Sequence, residues 1–206
     1  MRLFVALEIP EATRESLAAL IARLAPTCRG ARWLRPEGMH LTLKFIGDVS
    51  SEKAESIRAV LRAVRGPSAV EIVFRGAGFF PNARHPRVFW AGVEAEPNFA
   101  ALATEIERRL EPLGIARETR EFCPHLTLAR FKSEDELPAL HAALAKLGKD
   151  HTTASGLELE FGRGKFEEFH LIESTLRPEG AVYKTLETFR FAPTNSTGGD
   201  TGGARP

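Results

Sequence analysis

Residues 39–49 read MHLTLKFIGDV and residues 123–131 read CPHLTLARF, so His40-Leu41-Thr42-Leu43 returns unchanged, 85 positions later, as His125-Leu126-Thr127-Leu128. Apolar and polar side chains alternating with period two mark a half-buried strand, because successive side chains point to opposite faces. In each copy the two leucines enter a core, while imidazole and hydroxyl share the reverse face. Composition alone puts an apolar-Thr-apolar run after about 1% of histidines, so two copies by chance are expected in only about a few chains per thousand. The repeat therefore marks two strands in corresponding places and makes their polar face a candidate site.

Outward from the repeat, residues 3–9, 31–35, 40–46, 70–74 and 88–93 read as strands, followed by 124–131, 157–161, 166–176 and 183–191. Helical spacing of apolar residues covers 11–24 (Leu17, Leu20, Ile21, Leu24), a second helix opening at Ser51 (Ile57, Val60, Leu61, Val64), 99–113 (Leu102, Ile106, Leu110, Leu113), and 134–147, broken or begun afresh at Pro138. Ser50 and Ser51 supply cap chemistry for the second helix. Residues 79–86 read as a loop, and Gly162-Arg163-Gly164 as a hairpin turn. The second half replays the order of the first. No glycine-rich loop joins a strand to a helix, as dinucleotide-binding and P-loop folds require, and several connections are hairpin-like. The predicted class is α+β with antiparallel sheets.

The chain has 206 residues, 43% hydrophobic, which suffices for a sizeable core in one domain or two lobes that share it. Residues 193–206, PTNSTGGDTGGARP, contain no large apolar side chain and cannot offset their ordering entropy. The expected organisation is one unit over residues 1–191 and a disordered tail over 192–206. With 28 basic and 27 acidic side chains the formal charge is +1, so any contact with a polyanion must be local. Cys28 and Cys123 have neither zinc spacing nor a bridging framework, which fits a reducing cytoplasm. The apolar run at residues 3–9 is too short for a signal-peptide core or a membrane span. No membrane partner is expected.

Two histidines in one cleft suit proton transfer near neutral pH, since one imidazole can take a proton from a nucleophile while the other protonates a leaving group. Each threonine hydroxyl can hydrogen-bond an oxygen that gains charge in the transition state. No HxxxH or HExxH spacing accompanies them, so no metal site is read.

The paired HLTL motifs resemble those of the two-histidine (2H) phosphoesterase superfamily. The surrounding stretches MRLFVALEIP, MHLTLKFIGDV, RVFWAGV, CPHLTLAR, ESTL and Tyr183-Lys184-Thr185-Leu186 resemble the bacterial and archaeal RNA 2′,3′-cyclic phosphodiesterases, also named 2′-5′ RNA ligases, over about residues 2–191. The resemblance implies two pseudo-symmetric lobes, each an antiparallel sheet with outer helices, around a central cleft. His40 and His125 match the catalytic positions, and Thr42 and Thr127 the phosphate-binding ones. Arg130 matches an arginine that contacts phosphate, and Phe45, in the same relation to the first motif, a wall that receives a base. By analogy His125 activates water and His40 protonates the departing oxygen. The implied partners are RNA ends or nucleotides with a 2′,3′-cyclic phosphate. The implied reactions are hydrolysis to a 2′-phosphate and reversible ATP-independent 2′-5′ joining by a monomer, with no cofactor and no metal.

Arg130 lies five positions after His125, which on an ideal strand puts it on the wrong face. To reach the cleft it needs a bulge, a twist or the strand end. Arg29, Arg32 and Arg35 surround Trp33, and Arg84, His85 and Arg87 lie in one loop; either cluster can stack a base and meet phosphates, or be a solvated edge. His85, His141, His151 and His170 read as structural or surface residues, and Cys123 as a bystander beside His125. Rival readings are a cyclic phosphodiesterase for small nucleotides or ADP-ribose 1″,2″-cyclic phosphate, and a non-catalytic RNA-end binding module.

Overall fold

The computed structural model describes residues 1–119, 122–147, 152–153, 156–177 and 180–191. The tail expected at 192–206 and His151 lie outside the described residues.

The strands are β1 (Arg2–Glu8), β2 (Arg32–Trp33), β3 (His40–Asp48), β4 (Val70–Phe80), β5 (Val88–Ala95), β6 (His125–Arg130), β7 (Thr152–Thr153), β8 (Gly156–Phe166), β9 (Glu168–Arg177) and β10 (Gly180–Arg190). The helices are α1 (Glu11–Leu24), α2 (Ser51–Arg62), α3 (Pro97–Leu110) and α4 (Leu137–Leu147). Ser50 caps α2 by accepting a hydrogen bond from the Lys53 amide at 3.2 Å.

A four-stranded sheet runs in the order β10-β9-β1-β3, and a six-stranded sheet in the order β2-β6-β5-β4-β8-β7. Every pairing is antiparallel, as the α+β class predicts. The series β10-β9-β1-β3 corresponds to β8-β4-β5-β6, with α1 and α2 matched by α3 and α4. The lobes are therefore pseudo-symmetric, but they are not the two halves of the sequence: β9 and β10, from the end of the chain, return to complete the sheet that β1 began.

The connecting helices are exchanged. The helix α1 leaves the four-stranded sheet and packs on β8 of the other, while α3 leaves the six-stranded sheet and packs on β3. One buried core consequently spans both lobes, including Val5, Leu17, Phe74, Phe89, Ile106 and Leu171. Leu41, Leu43, Leu126 and Leu128 are all at most 4% exposed, so both motif strands are anchored by their leucines, each contributing about 1.5–3 kcal/mol by burial.

Three expected boundaries change. Gly162-Arg163-Gly164 is no turn; it lies inside β8, where pairing with β4 shifts register after Phe74–Gly162. Gly162 adopts φ +150°, and Thr13 of α1 occupies the space a Cβ would need, so glycine serves a bulge and a close helix contact rather than a reversal. Phe79 and Phe80 belong to β4, held by pairing with Phe89 and Val88, so the loop begins at Pro81. The strand expected at 31–35 shrinks to Arg32–Trp33.

Candidate active site

The motif strands β3 and β6 pack against each other where the two sheets meet. Along both, burial follows the alternation expected from HLTL: the leucines are buried, His40, His125 and Thr127 are half-buried, and Thr42 is exposed.

Each histidine is held by the same local device. His40 Nδ1 lies 3.1 Å from the carbonyl oxygen of Gly38, and His125 Nδ1 lies 2.9 Å from that of Cys123, in both cases two residues upstream. A carbonyl oxygen only accepts, so Nδ1 carries the hydrogen in both rings, and in the neutral tautomer Nε2 keeps a lone pair for the chemistry. Cys123 thus serves through its backbone; β6 starts at His125, and the exposed thiol two residues earlier is not on the strand.

Aromatic rings fix both imidazoles. Tyr183 meets His40 edge-on at 4.9 Å between centroids, with Phe4 at 5.7 Å. Phe80 meets His125 edge-on at 5.0 Å and also lies 5.1 Å from Trp90. Trp90 stands opposite Thr127 and lies over Gly78, where a Cβ would overlap its ring. The sequence alone gives Phe4, Phe80 and Trp90 no role at the site, because it is the tertiary fold that brings Phe4 and Phe80 to the histidines and Trp90 to Phe80 and Thr127.

Burial pushes the His40 imidazole below its ordinary pKa, opposed by the Gly38 carbonyl, which favours the charged ring. Arg14 adds to the depression and Glu8 counters it, while His170, buried on the same sheet with Nδ1 2.9 Å from Thr188 Oγ1, adds slightly to it. An open pocket of about 460 Å³ adjoins His40 and is lined by Glu8, Glu11, Glu15, Glu37, Arg14 and Tyr183. It is acidic.

Both motif strands carry a bulge at the second leucine. On β3, Lys44 pairs with Val5 and Thr42 with Ala6, leaving Leu43 without an opposite residue; on β6, Ala129 pairs with Phe89 and Thr127 with Trp90, leaving Leu128 without one. One extra residue reverses the parity of the rest of the strand. Leu43 and Lys44 are consequently both buried, as are Leu128 and Ala129, and the residue five places after each histidine returns to the histidine's face. Arg130 reaches the cleft face by the bulge that its spacing demanded. Phe45, 53% exposed, does the same on β3, with the Arg2 guanidinium 5.0 Å from its ring centroid.

The remaining candidates separate. Trp33 turns to the core, donating from Nε1 to the Cys28 carbonyl at 2.9 Å and meeting Phe89, so it is no base platform. His85 is exposed and bonds Glu134 at 3.0 Å, whereas His141 packs against Phe79. Among the described residues no group of three or more His, Cys, Asp or Glu is disposed to hold a metal ion, and no helix is long and apolar enough to cross a membrane.

A bilobal α+β fold with one HxTx strand from each lobe defines a two-histidine phosphoesterase. The model of the family described as LigT like Phosphoesterase matches residues 7–90 and 92–183, and the chain belongs to that family. It is 33% identical over 192 residues to the RNA 2′,3′-cyclic phosphodiesterase of Methanothermobacter thermautotrophicus, covering 93% of this chain and 99% of the relative. The crystal structure of TT0787 from Thermus thermophilus superposes with a TM-score of 0.74 at 31% identity, covering 94% of this chain and 99% of that one. Escherichia coli LigT, in its crystal structure complexed with 3′-AMP, gives a TM-score of 0.72 at 25% identity, covering 92% and 97%.

Proposed function

We propose that this chain is an RNA 2′,3′-cyclic phosphodiesterase in which His40 and His125 are the proton-transfer pair. Membership of the family and the name of the Methanothermobacter relative support the cyclic phosphodiesterase activity. The observation that carries the histidine mechanism is the shared restraint of both imidazoles through Nδ1, which leaves both Nε2 atoms for chemistry.

In the proposed reaction water attacks phosphorus and gives a proton to one imidazole, the P–O3′ bond breaks, and the other imidazole protonates O3′. The product is a 2′-phosphate with a free 3′-hydroxyl. The order carried over from the superfamily makes His125 the base and His40 the acid. An acid must be charged, and burial opposes charge on His40 in the empty cleft; the anionic ring phosphate reverses that bias on binding. Thr42 and Thr127 hydrogen-bond the phosphate oxygens, Arg130 supplies a cation to them, and Phe45 offers its open face to a base. With a 5′-hydroxyl attacking phosphorus in place of water, the same P–O3′ cleavage joins RNA ends through a 2′-5′ link without ATP; in the reverse reaction O3′ attacks, the 5′-hydroxyl leaves and the cyclic phosphate re-forms. The enzyme is proposed to act as a cytoplasmic monomer with no metal.

The test is incubation with an RNA ending in a 2′,3′-cyclic phosphate, in excess EDTA, with identification of the terminus. A 2′-phosphate is expected. His40→Ala and His125→Ala should each lower turnover by on the order of a hundred- to ten-thousand-fold, and the double variant by much less than the product. Thr42→Ala and Thr127→Ala should cost less, each removing one neutral hydrogen bond. Near-normal turnover in either histidine variant, or loss in EDTA restored by a divalent ion, would sink the mechanism.

A further inference from the structure

Arg32 on β2 stands directly opposite Arg130 on β6. Its neighbour Trp33, opposite Ala129, turns to the core, so Arg32 shares the cleft face with Arg130, His125 and Thr127. Opposed residues of an antiparallel pair hold their Cβ atoms about 4.5–5.5 Å apart, and like charges there repel. Among the described residues neither guanidinium has an ion-pair or hydrogen-bond partner. Two uncompensated forks side by side fit one anion with several oxygens, whose binding removes the repulsion.

The position of the pair decides which anion it suits. With Leu128 bulged out, Arg130 is four residue rises, about 13 Å, along the strand from His125, and Arg32 lies beyond it at the sheet edge. A phosphate held by Arg32 is therefore not the one under attack but its neighbour, and Arg130 lies between the two. The other side of the site cannot take that neighbour: the pocket adjoining His40 carries Glu8, Glu11, Glu15 and Glu37. Its one arginine, Arg14, is already engaged by Glu11 and by the carbonyls of Ile9 and Pro36. A second phosphate is repelled from that pocket and drawn toward Arg32 and Arg130.

We propose that Arg32, with Arg130 shared between the two phosphates, binds the phosphodiester immediately 5′ of the cyclic end, so that the enzyme favours an oligonucleotide terminus over a lone nucleoside 2′,3′-cyclic phosphate. This rests on the cyclic-phosphate reading of the site. The test compares a dinucleotide ending in a 2′,3′-cyclic phosphate with the mononucleoside cyclic phosphate, which lacks the second phosphate, in the wild type, Arg32→Ala and Arg32→Gln. The ratio of the two kcat/KM values should fall on the order of tenfold in both variants, and more weakly with added salt. Dissociation constants for the same two compounds, measured on the His125→Ala background, should show the same selective loss. Equal losses on both compounds, or none, overturn the subsite. A wild type that hydrolyses neither compound, while binding still discriminates through Arg32, overturns the catalytic reading and leaves the subsite standing.

Discussion

His40 and His125 differ in surroundings although their motifs are identical. His40 sits against Phe4 and Tyr183 on the four-stranded sheet, facing Glu8 from β1, Arg14 from α1 and His170 from β9, and burial is the largest influence on it. Its neutral form is favoured in the free enzyme. If His40 is the acid, activity is present where it is protonated and lost as pH rises through its pKa, so it sets the alkaline limb of the pH profile. In kcat/KM, which reports the free enzyme, that limb should lie below the ordinary imidazole range; in kcat, with the anionic phosphate bound, it should move to higher pH. Coincident alkaline limbs in the two profiles would remove His40 from the acid's role.

At the level of the strand, the bulge does what a regular ladder cannot: it buries two consecutive residues and returns the next to the cleft. On β3 one of those two is Lys44, only 6% exposed, whose ammonium is 2.6 Å from Glu107 Oε1 on α3 and 2.7 Å from the Ala116 carbonyl. The ion pair ties the first motif strand to the helix of the other lobe and to the segment leading to the second motif. Lys44→Met should leave the Glu107 carboxylate half-buried without its cation and lower stability by about 2 kcal/mol in urea unfolding. Adding Glu107→Met should recover much of that loss. Additive losses in the double variant would show that the two side chains act independently.

Across the whole molecule, the exchange of α1 and α3 between sheets makes one core of two lobes, with the motif strands at the seam. Among the described residues the buried members of that core run from Leu3 to Phe189. Removing residues 192–206, which bring no large apolar side chain, should leave the melting temperature and turnover nearly unchanged; a fall in either would show that the segment docks on the body or the substrate.

Local pattern determined the two HxTx strands, the four helices and the antiparallel α+β class, because amphipathic period and cap chemistry are properties of neighbouring residues. Arg130 was legible as a problem of parity, and Phe45 by its matching place. Long-range pairing decided the rest. Gly162 reads as a turn in isolation, and only the Thr13 contact and the β4 register make it a bulge. The arginine cluster around Trp33 reads equally as a base-stacking patch or a solvated edge, and only the hydrogen bond to the Cys28 carbonyl, which turns the ring inward, decides against stacking by Trp33. Phe80 and Tyr183 reach the histidines, Trp90 reaches Phe80 and Thr127, and Arg32 reaches Arg130, through strands distant in sequence. Spacing along one chain carries no information about which face of another strand will lie opposite, and that is what the tertiary fold supplies.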